Sequence, residues 1–75
     1  MVPEKSHPLY RKLVTGESTY AFQTFSANMC ISNNQRKVRA AAGDPAVIEE
    51  AVADLHAFFV KFESVFGDEL KKIFG

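Results

Sequence analysis

Ile48, Val52, Leu55, Phe59, Phe62 and Phe66 recur at alternating steps of four and three, and no other feature of this chain restricts its fold as strongly. That spacing places all six side chains on one stripe of an α-helix. Ala51, Phe58 and Val65 run beside the stripe and widen it beyond a two-stranded coiled-coil seam, while Glu50, Asp54, Lys61 and Ser64 occupy the other side. The helix start is punctuated just as clearly. Asp44 suits an N-cap, Pro45 fits the first helical position, where no N–H is needed, and Glu49 and Glu50 lie near the positive end of the macrodipole. Gly67 is placed to end or bend the helix. Asp68 then caps a last piece in which Leu70, Ile73 and Phe74 continue the apolar face and Lys71 and Lys72 suit a C-terminus. Residues 45–74 are therefore expected as one amphipathic helix, bent at 67.

A chain of 75 residues is one domain near the lower limit at which an apolar core alone keeps a protein folded. Its single cysteine, Cys30, excludes an internal disulfide, and no Cys or His cluster has zinc-site spacing. Further stability is expected from a partner chain. The free thiol suits a reducing compartment, no signal-peptide pattern opens the chain, and no run approaches the roughly 20 apolar residues of a membrane helix. The expectation is a cytoplasmic protein with no membrane association. Formal charge is zero but divided: residues 1–42 carry Lys5, Arg11, Lys12, Arg36, Lys37 and Arg39 against Glu4 and Glu17, and the remainder is acidic. Packing of the two halves against each other, with mutual neutralisation, is the expected reason.

Residues 1–7 read as a loose tail. Residues 8–15 read as a short helix, with Ser6 or His7 as cap, Pro8 opening it and Gly16 as stop, or as a strand ending in a Gly16-Glu17 turn. Residues 18–42 decide the fold class. As strands, Phe25, Ala27, Met29 and Ile31 alternate with polar or small residues, and Asn33-Asn34 serves as a two-residue turn. As a helix, Tyr20, Ala27, Ile31, Val38 and Ala42 share one side, and Phe22, Phe25 and Met29 lie almost opposite. Gln35, Arg36, Lys37 and the run Ala40, Ala41, Ala42 are good helix formers and poor strand formers, and Gly43 stops such a helix just before Asp44-Pro45 opens the next. Punctuation outweighs alternation, so residues 18–42 are expected as a helix. The polar run 32–37 covers every helix face and predicts a kink, a break at 32–34, or exposure.

The expected fold is all-α: an antiparallel helical hairpin or small bundle with a long C-terminal amphipathic helix. The alternative is α+β, with an antiparallel β-hairpin or meander packed on that helix. A helix over residues 45–66 would span roughly 33 Å at 1.5 Å per residue, against a radius of gyration of about 11 Å for a compact chain of this length. An elongated hairpin would leave apolar surface uncovered.

Chemistry-bearing patterns are few. No nucleotide-binding glycine pattern, zinc-protease His pair or nucleophile elbow occurs. His56 shares a helix side with Glu49 and Glu63, but two-turn intervals hold side chains roughly 10 Å apart, too far for one ion. Cys30 reads as a small buried hydrophobe. No catalytic residue, cofactor or metal is expected. The reading is a non-enzymatic protein–protein interaction module that self-associates, as a dimer or higher homo-oligomer, through Phe-rich helical faces. Ala51, Phe58, Val65, Leu70 and Phe74 are the expected interface, and another protein is a possible partner. One alternative is a nucleic-acid-associated regulator using Arg36, Lys37 and Arg39, which the neutral charge disfavours. The other is an apolar ligand held between helices. The helical reading predicts a helix-dominated far-ultraviolet circular dichroism spectrum; substantial strand content would instead establish the hairpin.

Overall fold

The computed structural model describes residues 2–74, leaving out Met1 and Gly75. It is an all-α bundle of 4 helices: α1 (Pro8–Thr15), α2 (Phe25–Ala40), α3 (Pro45–Lys61) and α4 (Glu63–Phe74). α1, α2 and α3 pack pairwise on one another, and α4 turns back over them. The extents of 33 × 23 × 20 Å and radius of gyration of 11.4 Å are those of a compact chain of this size. The elongated hairpin expected from helix length is therefore replaced by a closed core.

The helix boundaries follow from local chemistry. The backbone N–H of Leu9 donates to His7 Nδ1 at 3.1 Å, Pro8 occupies the first turn, and Gly16 ends α1 at φ 80°, so residues 8–15 take the helical alternative. The α2–α3 link is the Gly-Asp-Pro turn: Gly43 sits at φ 77° with Ala42 before it at 53°, the Gly43 N–H donates to the Val38 carbonyl at 3.0 Å, and Asp44 accepts from the Ala46 N–H at 2.9 Å. The left-handed region suits Gly43 but strains Ala42, which carries a Cβ.

Three expected boundaries are corrected. Helix α2 begins at Phe25, not Ser18, because Asn28 takes both backbone groups of Phe22. Its Oδ1 accepts from the Phe22 N–H at 2.7 Å, and its Nδ2 donates to the Phe22 carbonyl at 2.6 Å. This clamp holds residues 18–24 irregular and turns the Phe22 ring into the core. No break occurs at 32–34: of the expected outcomes for the polar run, exposure holds for Asn33, Arg36 and Lys37, while Gln35 Nε2 donates to the Leu13 carbonyl at the end of α1, 2.8 Å, and Asn34 is buried against α3. The C-terminal helix bends at Phe62 (φ −112°, ψ 23°) and again at Phe66 (φ −137°, ψ 31°), while Gly67 continues α4. These two departures redirect the chain so that Phe66 and Leu70 reach the core, as a straight continuation could not.

The expected loose tail is also tied down over residues 2–7; Met1 lies outside the described residues. The buried Tyr10 hydroxyl donates to the Pro3 carbonyl at 2.6 Å, Val2 packs at the edge of the core, and the His7 ring meets Phe74 edge-on at 4.8 Å. Burial pushes the Tyr10 phenol up to about 12, so it stays a donor.

Leu13 and Val14 from α1, Ala27, Ile31 and Val38 from α2, and Ile48, Ala51, Leu55 and Phe59 from α3 form the core with Phe66 and Leu70. Phe59 meets rings from α1, from the segment before α2 and from α4: Tyr10 at 6.0 Å, Phe22 at 5.4 Å, Phe66 at 5.6 Å and Phe74 at 6.2 Å. Truncation by Phe59→Ala opens a cavity at this junction and is expected to cost about 3–5 kcal/mol, read as a lowered urea midpoint. The less central Val52→Ala change should cost clearly less.

Candidate functional site

Between α2 and α3 runs an open groove of ≈ 700 Å³ lined by Phe25, Met29, Cys30, Asn33, Arg36, Lys37, Asp54 and Phe58, together with Ser26. Phe25, Met29, Asn33 and Lys37 follow one another at steps of four on α2, so they form one outward row. The groove therefore changes character along its length. Phe25 (76% exposed) and Met29 (41% exposed), with the half-buried Phe58, make an apolar end. Arg36 and Lys37 make a basic end.

The floor is polar. Asn34, 1% exposed, donates through Nδ2 to the Cys30 carbonyl and to Asp54 Oδ2, both at 2.9 Å. Its Oδ1 is buried with no hydrogen-bond partner among the described residues. The opposite amide orientation would press Oδ1 onto two acceptors, which fixes the assignment. Cys30 Sγ lies 3.9 Å from Asp54 Oδ2. Burial, and after it the Asp54 charge, pushes the Cys30 thiol up to about 11. It is thus protonated at neutral pH and a poor nucleophile.

The expected interface residues do not form one surface. Ala51, in the helix that packs on both α1 and α2, and Leu70, which the bends of the C-terminal helix carry into the core, are buried within the chain and offer nothing to a second one. Phe74 is half-buried against His7 and Tyr10. Val65 is 61% exposed, but it lines a different cleft, between residues 18–24 and α4. Phe58 alone reaches the α2–α3 groove. His56 stands edge-on to Tyr10 at 5.6 Å, and no group of three His, Cys, Asp or Glu among the described residues is arranged to hold a metal.

Arg36, Lys37 and Arg39 are exposed, and the expected pairing with the acidic half does not account for them. Arg36 donates to Asn33 Oδ1 at 2.5 Å. Acidic side chains meet neutral donors instead: Glu69 accepts from the Tyr20 hydroxyl at 2.6 Å and from the Gln23 N–H at 3.0 Å, and Asp54 accepts from Asn34. The Glu69 hydrogen bond, ahead of burial, pushes the Tyr20 phenol up to about 12.

Sequence reasoning missed Phe25 and Met29 as surface anchors and Asn34 as a buried polar group. The row at steps of four from Phe25 to Lys37 was the available signal for the first two. Nothing local marks Asn34, whose burial depends on Asp54 lying opposite.

Replacing Asn34 with leucine keeps a similar shape and removes the unpaired carbonyl, so Asn34→Leu should leave stability nearly unchanged or raise it. Asn34→Asp sets a carboxylate against Asp54 and the Cys30 carbonyl and should cost about 1–3 kcal/mol or more. Urea unfolding of the two variants checks the contrast. Comparison with protein-family models, characterised proteins and solved structures finds no match to this chain.

Proposed function

We propose that this protein is a small non-enzymatic interaction module that docks another protein chain on the groove between α2 and α3. The observation that carries the reading is Phe25, 76% exposed and contiguous with Met29 and Phe58 around the groove. A compact chain that folds its other phenylalanines inward or against one another, yet leaves this ring in water beside two further apolar side chains, has the character of a docking surface. Binding is favoured over catalysis by the state of the one thiol in the groove, since Cys30 is held protonated, and by the absence of His56 from the groove lining, its ring packing on Tyr10 instead.

A second copy of the chain is one such partner. Two Phe25–Met29–Phe58 patches meeting across a two-fold axis would match apolar surface to apolar surface. Because the stripe of α3 closes within the chain, self-association in this reading runs through α2 and Phe58. Among the described residues no helix is long and apolar enough to cross a membrane, and the unpaired Cys30 suits a reducing compartment such as the cytoplasm.

Amide chemical shifts of labelled protein titrated with a designed helical peptide, bearing apolar anchors on one side and glutamine elsewhere, test the face. Changes are expected at Phe25, Met29, Cys30, Asn33 and Phe58 and should vanish in Phe25→Asp, whose circular dichroism stays helical because the side chain is outside the core. Changes confined to α1 and α4, or unaltered by Phe25→Asp, would sink the reading.

A further inference from the structure

Given the docking role proposed above, we infer that the occupant of the α2–α3 groove is an acidic amphipathic helix of a partner protein. It lays apolar anchors on Phe25, Met29 and Phe58 and carboxylates on Arg36 and Lys37. The groove is apolar at one end and cationic at the other, with Asn33 between. Met29 and Arg36 lie seven residues apart, about 10 Å along the axis. One helix therefore meets both ends when its carboxylates stand about two turns from its apolar anchors, in either chain direction.

Charge decides among occupants. Arg36 is held by the neutral Asn33 amide, and Arg36 and Lys37 outnumber the one carboxylate lining the groove, the exposed Asp54, which accepts from Asn34. The basic end thus has hydrogen-bonding and charge capacity still to use, and Arg39, exposed on the same helix, adds to its positive potential. A second copy centred on Phe25 and Met29 leaves both basic ends unmet. A copy slid along to cover them sets Arg36 and Lys37 on Phe25 and Met29, which desolvates the charges without a partner. A nucleic acid meets the basic end but leaves Phe25 and Met29 in water. An acidic amphipathic helix covers apolar with apolar and positive with negative.

Two designed helical peptides test this, identical in two apolar anchors one turn apart and differing in a pair of residues about two turns further along, glutamate in one and lysine in the other. Fluorescence anisotropy of each with the intact protein should give about tenfold tighter binding of the glutamate peptide at low salt, the scale that a few exposed ion pairs reach. The gap should narrow as salt rises, and Arg36→Glu combined with Lys37→Glu should reverse the order. Equal affinities that both collapse in Phe25→Asp overturn the acidic partner while the docking face stands; affinities indifferent to Phe25→Asp overturn the face as well. A rise in mass of the protein alone that is abolished by Phe25→Asp and blocks both peptides assigns the groove to a second copy. A labelled duplex that displaces the glutamate peptide assigns it to nucleic acid. Either result overturns the inference.

Discussion

Around the ring of Phe59 stand Tyr10 from α1, Phe22 from the irregular segment before α2, and Phe66 and Phe74 from α4, with centroids 5.4 to 6.2 Å away. Each such aromatic pair contributes about 0.5–1.5 kcal/mol beyond the area it buries. In a chain this short no second core exists to compensate if the junction fails. The remaining architecture follows from keeping these rings together: the extended entry into α2, the double bend at Phe62 and Phe66, and the fastening of residues 2–7 over Tyr10.

Single polar side chains hold the segments that regular structure does not. Asn28 replaces a strand partner for Phe22 by taking both its N–H and its carbonyl. Glu69 fastens the same segment to α4 by accepting from Tyr20 and Gln23, and Gln35 reaches a carbonyl at the end of α1. Each contact satisfies backbone or phenol groups that would otherwise be left to solvent or buried unpaired. Irregular backbone is thereby made part of the core without secondary structure of its own.

Closing the core in this way moves the functional question to another face. A straight C-terminal helix would have carried Leu70 and Phe74 away from the core and made that helix the natural interface. With α4 folded back, those side chains belong wholly or partly to the interior, and the large apolar groups left outside include Phe25 and Met29 on α2. The same helix carries Arg36, Lys37 and Arg39, so the exposed apolar patch and the basic cluster share one element and differ only in position along it. That arrangement favours recognition of a partner with its own graded surface over burial against a uniform one.

The sequence by itself determined what depends on neighbours along the chain. The Gly43-Asp44-Pro45 turn, the helical character of α3 and the burial of Ile48, Leu55 and Phe59 follow from spacing and capping, since helical periodicity and end chemistry act within a few residues. The same signals favoured the all-α class and a short helix over residues 8–15 but left a strand open in each case. On α2 the periodicity grouped Ala27, Ile31 and Val38 opposite Phe25 and Met29, but which of the two sides is buried was not legible. The tertiary structure alone decided where α2 begins, where the last helix bends and which apolar residues remain outside. Asn28 clamps Phe22 because that ring is wanted against Phe59. Asn34 is buried because Asp54 faces it from α3. Phe66 leaves helical geometry because the core lies to one side of the helix axis. These outcomes depend on residues distant in sequence, so the local pattern around each of them reads equally well as helix, break or surface.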